Sequence, residues 1–240
     1  MLANLDLTKV LFLDIETVPE EEIHGNMTEG RQALWEQKTT YQRKGEVTAE
    51  DFYERAGIWA EFGKIVCISV GFFDTTQPNN RSLRIKSFAG KEAKILEDFK
   101  QLCDDHFYLK SHLLCAHNGK EFDFPYIARR MVIHRIALPR ILDLFGKKPW
   151  EVPHLDTLQL WKFGDYKHYT SLALLADIFG IPTPKDDIDG SDVARVYYQE
   201  KNLERIVRYC EKDVLTLAQV FLTFLRKPLL EENQIVWLSK

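Results

Sequence analysis

The chain has 240 residues, 45% hydrophobic and 28% charged, with a formal net charge of −4 at pH 7. That length allows one large domain or two small ones, and the composition is that of an ordinary globular protein without low-complexity tracts. The acidic balance argues against holding long nucleic acid by bulk electrostatics. No apolar run approaches the ~20 residues of a membrane span, and MLANLDLTKV lacks a basic segment followed by a long apolar one. A cytoplasmic protein with no membrane partner is expected. Cys67, Cys103, Cys115 and Cys210 are too scattered for a disulfide framework.

In chain order, residues 9–18 (KVLFLDIETV) form an apolar run of strand formers, expected as a central strand covered on both faces. Residues 19–63 are more polar and carry two helical patterns, TEGRQALWEQK and TAEDFYERAGIWAEF, the second with a capping-box start at Thr48 and Asp51 and a stop at Gly63. This stretch is expected to be a helical insertion. Strands follow at 64–73 and 81–88, with a turn at Pro78, Asn79 and Asn80. An amphipathic helix at 91–103, a strand at 112–118 and a helix at 122–134 come next. A loop with Pro149 and Pro153 leads to HLDTLQLWKFG and then to SLALLADIFG, a helix capped by Thr170 or Ser171 and ended by Gly180. Residues 191–226 read as two helical segments meeting near Lys201 and Asn202. This order predicts a single α/β domain, residues 1–240, with a mixed sheet flanked by helices.

Three short acidic motifs stand out from this pattern: LFLDIET (11–17), HNGKEFD (117–123) and YCEKD (209–213). Asp14 and Glu16, two apart on a strand, leave the same face of the sheet, which breaks an otherwise apolar pattern. The plain alternative is a strand end emerging into solvent. Tyr209 and Asp213, four apart on a helix, share the margin of its apolar face. Asp123 opens a helix, where simple capping is also common. Buried carboxylates need a positive partner. Four converging ones would hold divalent metal ions, and paired metals suit phosphoryl-transfer chemistry.

Together these motifs resemble the DEDD superfamily of 3′→5′ exonucleases, in the subgroup with tyrosine in the third motif. HN followed by FDFPYI is especially similar to the proofreading exonuclease of family B DNA polymerases. The resemblance spans about residues 9–225 and implies a ribonuclease H-like fold in a stand-alone member. It does not account for the 19–63 stretch or the tail after Arg226. It further implies that Asp14 bridges two Mg²⁺ or Mn²⁺ ions, that Glu16 and Asp213 complete the first site, and that Asp123 holds the second. Tyr209 would orient the attacking water, since an unperturbed phenol is a poor base.

The expected activity is release of nucleoside monophosphates from 3′ ends of single-stranded nucleic acid, with DNA favoured over RNA. The resemblance implies substrate contact from the main chain around Thr17 and Val18, while Asn118 and Phe122 are expected at the terminal bases and Lys162, Lys167 and His168 at phosphates. Asp156 is a reserve acid that helix capping explains equally well. The competing readings are an RNA-trimming exoribonuclease and a binding module that kept the fold without catalysis. A polymerase or repair partner is compatible with either enzyme, and no residue identifies one.

Overall fold

The structure, a computed structural model, describes residues 2, 5–43, 45, 47–74, 81–165, 167, 169–182 and 188–238. The turn expected at Pro78, Asn79 and Asn80 lies outside them, as does His168. Strand β1 (Val10–Pro19) is buried along nearly its whole length because both faces of the sheet are covered. Helix α1 (Glu29–Thr39) follows, its start capped by the Thr28 hydroxyl, which accepts the Arg31 N–H.

The helix expected over residues 48–62 is instead a 3₁₀ run, Asp51–Ile58. Its predicted cap is present: Thr48 Oγ1 donates to Asp51 Oδ2 at 2.6 Å and accepts the Asp51 N–H at 3.0 Å. The run backs onto β1 so closely that a Cβ on Gly57 would lie 3.1 Å from the Val18 carbonyl carbon. Helical periodicity in the sequence cannot register such a contact. The segment has its own small core around Trp35, whose indole N–H donates to Ala49 O at 2.7 Å and whose ring meets Tyr53 and Phe62 edge-on.

The chain continues through β2 (Gly63–Asp74), β3 (Ser82–Ala89), α2 (Glu92–His106), β4 (Leu113–Ala116), α3 (Asp123–Ile133), β5 (Leu155–Asp156), α4 (Thr157–Lys162) and α5 (Leu172–Ile178). Ser171, rather than Thr170, caps α5 by accepting the Leu174 N–H. Then come α6 (Val193–Arg195), a π-helical turn (Val196–Glu200), α7 (Leu203–Phe224) and β6 (Ile235–Trp237). Lys201 at φ 53° and the Asn202 cap make the break expected between the two last helical segments.

The sheet order is β5-β4-β1-β2-β3-β6, and only β2 runs against the other five. Strands β5 and β6, two and three residues long, were too short to register as periodic pattern. The strand expected to reach residue 118 ends at Ala116, and Asn118 takes φ 63°. Alternation along β1 sends Leu11, Leu13 and Ile15 toward α2 and α3, and Val10 and Phe12 toward α7. Helix α7 comes close enough to the sheet that a Cβ on Gly71 would lie 2.7 Å from Val214 Cγ1. The result is a single α/β domain with a mixed six-stranded sheet between helical layers.

A buried histidine ties β4 to the loop after α3. His154 Nδ1 accepts the Leu114 N–H at 3.2 Å, so Nε2 carries the proton and donates to Ile141 O at 2.9 Å. Protonating Nδ1 would set it against that N–H, and burial holds the imidazole pKa down at about 4. The unfolded chain, with an ordinary histidine pKa near 6.5, then binds the extra proton first, so stability falls as pH drops from about 6.5 to 4. The expected contribution is ~3 kcal/mol across that window. Urea titrations at pH 7 and pH 4.5, compared with those of His154→Gln, check it, since the variant should lose less stability between the two pH values.

Candidate active site

The site begins where a strand runs out. β1 pairs with β4 only over Val10–Phe12, so beyond Phe12 its edge on that side faces the turn that follows β4. The chain swings away through residues 117–122, and the Asp123 carboxylate returns to accept the Ile15 N–H. That bond satisfies a buried donor and sets Asp123 beside the strand that carries Asp14 and Glu16. On the other edge, the β1–β2 register slips between Glu16 and Thr17, a bulge immediately after the two acids.

Asp156 shapes the turn. Its Oδ1 accepts the Asn118 N–H at 3.0 Å and caps α4 through the Leu158 N–H at 3.0 Å, while Oδ2 accepts the Lys120 N–H at 3.1 Å. This buried carboxylate is therefore committed to main-chain donors. His117 adds a second brace, with Nδ1 2.9 Å from Thr157 Oγ1 and Nε2 2.8 Å from Thr170 O. Gly119 is required by space, since a Cβ there would fall 2.3 Å from Ala116 Cβ.

Helix α7 brings the third motif against the same face of β1. Tyr209 and Asp213 are joined by a side-chain hydrogen bond, and burial, followed by the charges of Asp213, Glu16 and Asp14, raises the tyrosine pKa. Burial is the first cause of that rise, so Tyr209 remains a neutral hydroxyl at physiological pH. Asp14 is raised well above the usual carboxylate range, by burial first and then by Asp213 and Asp123. Glu16 is raised by burial, then by Asp14 and Asp213. Asp123 is pushed up to about 7, again chiefly by burial.

Several carboxylates thus oppose one another in a desolvated space, the situation that a cation relieves. Oxygen atoms of Asp14 and Glu16 and the Cys210 sulfur all lie within 4.8 Å of one another, a metal-sized group. The donor set of the acids, all hard oxygen, fits Mg²⁺ or Mn²⁺.

The substrate candidates fall in different surroundings. The Thr17 side chain is hydrogen-bonded to the Tyr126 hydroxyl, which donates in turn to Gly57 O at 2.8 Å. The Val18 side chain is fully buried with Val193, Val196 and Ile206, and its main chain pairs with β2 and backs onto Gly57. Asn118 sits in the turn with its N–H bound to Asp156. Phe122 is half-buried, its ring 5.3 Å from that of Tyr126. Lys162 ends α4, and the exposed Lys167 donates its main-chain N–H to Asp165.

Residues 52–224 match the RNase_H superfamily. The chain belongs to that superfamily. The matched span includes Asp123, Tyr209 and Asp213, and it begins after Asp14 and Glu16. Among solved structures, the chain is similar to the family B DNA polymerase of the hyperthermophilic archaeon Pyrobaculum calidifontis, with a TM-score of 0.53 and 17% identity. The similarity covers 90% of this chain and 24% of the polymerase, so the likeness is one of fold over about a quarter of the larger protein.

Sequence reasoning missed three groups at this RNase_H-superfamily site. Cys210 enters the sequence reading only as one of four cysteines too scattered for disulfides. His117 lay within a quoted motif without a role, although a histidine ending an apolar strand is a usable signal. Tyr169, 67% exposed, stands edge-on to His117 at 6.3 Å, and burial, then the charges of Asp123 and Asp156, raises its hydroxyl pKa. Nothing in its local sequence marked it, because its neighbourhood is made by residues far away in the chain.

Proposed function

We propose that this RNase_H-superfamily protein is a metal-dependent 3′→5′ exonuclease acting on single-stranded ends, DNA before RNA. Superfamily membership supports nuclease-type hydrolysis of nucleic acid. The observation that carries the finer reading is electrostatic: Asp14, Glu16 and Asp123, from two distant motifs, all feel the charge of Asp213 from a third. Such mutual repulsion persists in a folded protein when it serves a ligand.

Asp14, Glu16, Asp123 and Asp213 would hold the divalent ions. Bound there, the ions supply Lewis-acid chemistry and charge neutralisation to a phosphodiester. The chain's own residues do the rest. The Asp156 and His117 braces fix the turn that presents Asp123, and the main chain around Thr17 and Val18, just past the bulge after Glu16, would contact the terminal nucleotide. Tyr209, a neutral hydroxyl bonded to Asp213, orients a water and does not act as its base.

The deciding experiment uses 5′-labelled single-stranded DNA and RNA of one sequence with Mg²⁺, Mn²⁺ or EDTA. A metal-dependent ladder shortening from the 3′ end, absent in Asp213→Ala, is the expected result. Faster shortening of RNA would make the protein an exoribonuclease. No ladder on either polymer, with oligonucleotide still bound, would leave the non-catalytic binding module. For Tyr209→Phe, single-turnover cleavage should slow by up to ~10²-fold with oligonucleotide affinity unchanged. An unaltered single-turnover rate would remove the tyrosine from the reaction.

A further inference from the structure

We propose that Cys210 is a positioning residue whose thiol fixes the Asp14 carboxylate for metal binding, an inference that rests on Asp14 being a metal ligand. Cys210 is fully buried and aims its S–H at Asp14, with Sγ 3.3 Å from Oδ2 and 3.4 Å from the main-chain oxygen. A donor on one carboxylate oxygen restrains rotation of the group about its last bond. Partners of this kind set the orientation of ligands they do not replace.

A thiol suits the position physically. It carries no charge to compete with a cation, unlike lysine or arginine. It also packs as a small apolar group among Val18, Cys67 and Ile206, where water is excluded. Asparagine would bring a bulkier amide with extra polar atoms that need further partners in that cluster.

The next residue supports the same reading from the other side. Glu211 Oε1 accepts from Ser87 Oγ at 2.8 Å, and Ser87 Oγ lies 2.8 Å from Ser69 Oγ on the neighbouring strand. Ser69 Oγ is 3.6 Å from Cys67 Sγ, and Cys67 is hydrogen-bonded to Cys210. Helix α7 is thus pinned by adjacent residues, Cys210 to β1 and Glu211 to β3. The pins set the height at which Tyr209 and Asp213 meet Asp14 and Glu16. Each hydroxyl and thiol of this buried row has a polar neighbour, and at its α7 end the Cys210 thiol donates to Asp14.

The test measures Mn²⁺ binding by electron paramagnetic resonance on the full chain without substrate, for wild type, Cys210→Ala and Cys210→Ser. Removal of the donor in Cys210→Ala should weaken Mn²⁺ binding ~10-fold or more, and the serine hydroxyl should recover most of that loss. In turnover, the metal concentration for half-maximal rate should rise in Cys210→Ala while the rate at saturating metal changes little. Because either variant can disturb packing, the S–H stretching band of the wild-type protein provides a second readout. It should shift to higher frequency in Asp14→Ala, where the side-chain acceptor is gone. Unchanged Mn²⁺ affinity in Cys210→Ala, or a serine variant as impaired as the alanine one, overturns the proposal. No Mn²⁺ binding by wild type would instead overturn the metal-dependent reading itself.

Discussion

Asp14→Asn is expected to abolish cleavage and, in the same protein, to raise the thermal midpoint of the metal-free form. Loss of a metal ligand worth several kcal/mol in the transition state lowers the rate by on the order of 10³-fold or more. The stability gain follows from the direction of the Asp14 pKa. Burial and the charges of Asp213 and Asp123 raise it, so the folded state holds the ionised form at a cost. For an acid raised on folding, stability is fully present below the unfolded pKa near 4 and is lost as pH climbs through the folded pKa. The difference in midpoint between Asp14→Asn and wild type should therefore be small at pH 4 and grow toward neutrality. Each kcal/mol recovered is worth ~3 °C in a domain of this size.

Mg²⁺ should reverse the ranking. Wild type gains stability by binding it, whereas Asp14→Asn, with a ligand missing, gains much less. Thermal melts in EDTA and in Mg²⁺ at three pH values measure all of this. A variant less stable than wild type in EDTA at pH 7.5 would show that Asp14 is not under electrostatic strain. This trade of stability for function is common where ligands are stored in a desolvated site.

The same strain explains what could be read from the sequence. Asp14 and Glu16 were legible because acids on one face of an apolar strand violate a pattern, and the violation lies within a few residues. The central strand, its neighbours β2 and β3, and helices α2, α3 and α7 were legible for the related reason that periodicity is local. Groups whose role comes from distant partners were not. Asp156 looks like any helix cap until its second oxygen is found on the Lys120 N–H. Cys210 fits an apolar stripe, and only the packing of α7 on β1 places its sulfur on a carboxylate. The 3₁₀ run at 51–58 likewise depends on a backbone contact with Val18 that no pattern encodes.

Arg130→Met is expected to be the most destabilising change outside the acidic site, at ~3–5 kcal/mol. Arg130 is 2% exposed on α3, and its guanidinium joins three parts of the fold. Nε and Nη2 donate to the two Glu92 oxygens at 2.7 and 2.5 Å, and Nη1 donates to Ala60 O at 2.8 Å. Glu92 opens α2 and also accepts the Ile65 N–H of β2 at 2.8 Å. Methionine keeps much of the volume but leaves the buried Glu92 with only the Ile65 N–H and His134 Nε2, 2.6 Å from Oε2, as partners and Ala60 O without its donor. Such uncompensated groups, more than the lost attraction, set the cost.

A double-mutant cycle separates the two effects. Glu92→Gln keeps an acceptor for Ile65 and removes the charge, so adding it to Arg130→Met should cost less than the sum of the single changes. Urea unfolding of the four proteins gives the coupling. A loss below 1 kcal/mol in Arg130→Met would mean that water reaches Glu92 and the pair is not a structural clamp. The clamp also bears on chemistry, because α3 begins at Asp123 and Ala60 follows the run that backs onto Val18. Loosening it should weaken divalent-ion binding even though Arg130 touches no ligand. Cys210→Ala, by contrast, should weaken the same binding with far less loss of stability, so the two variants distinguish support of the whole wall from orientation of one carboxylate.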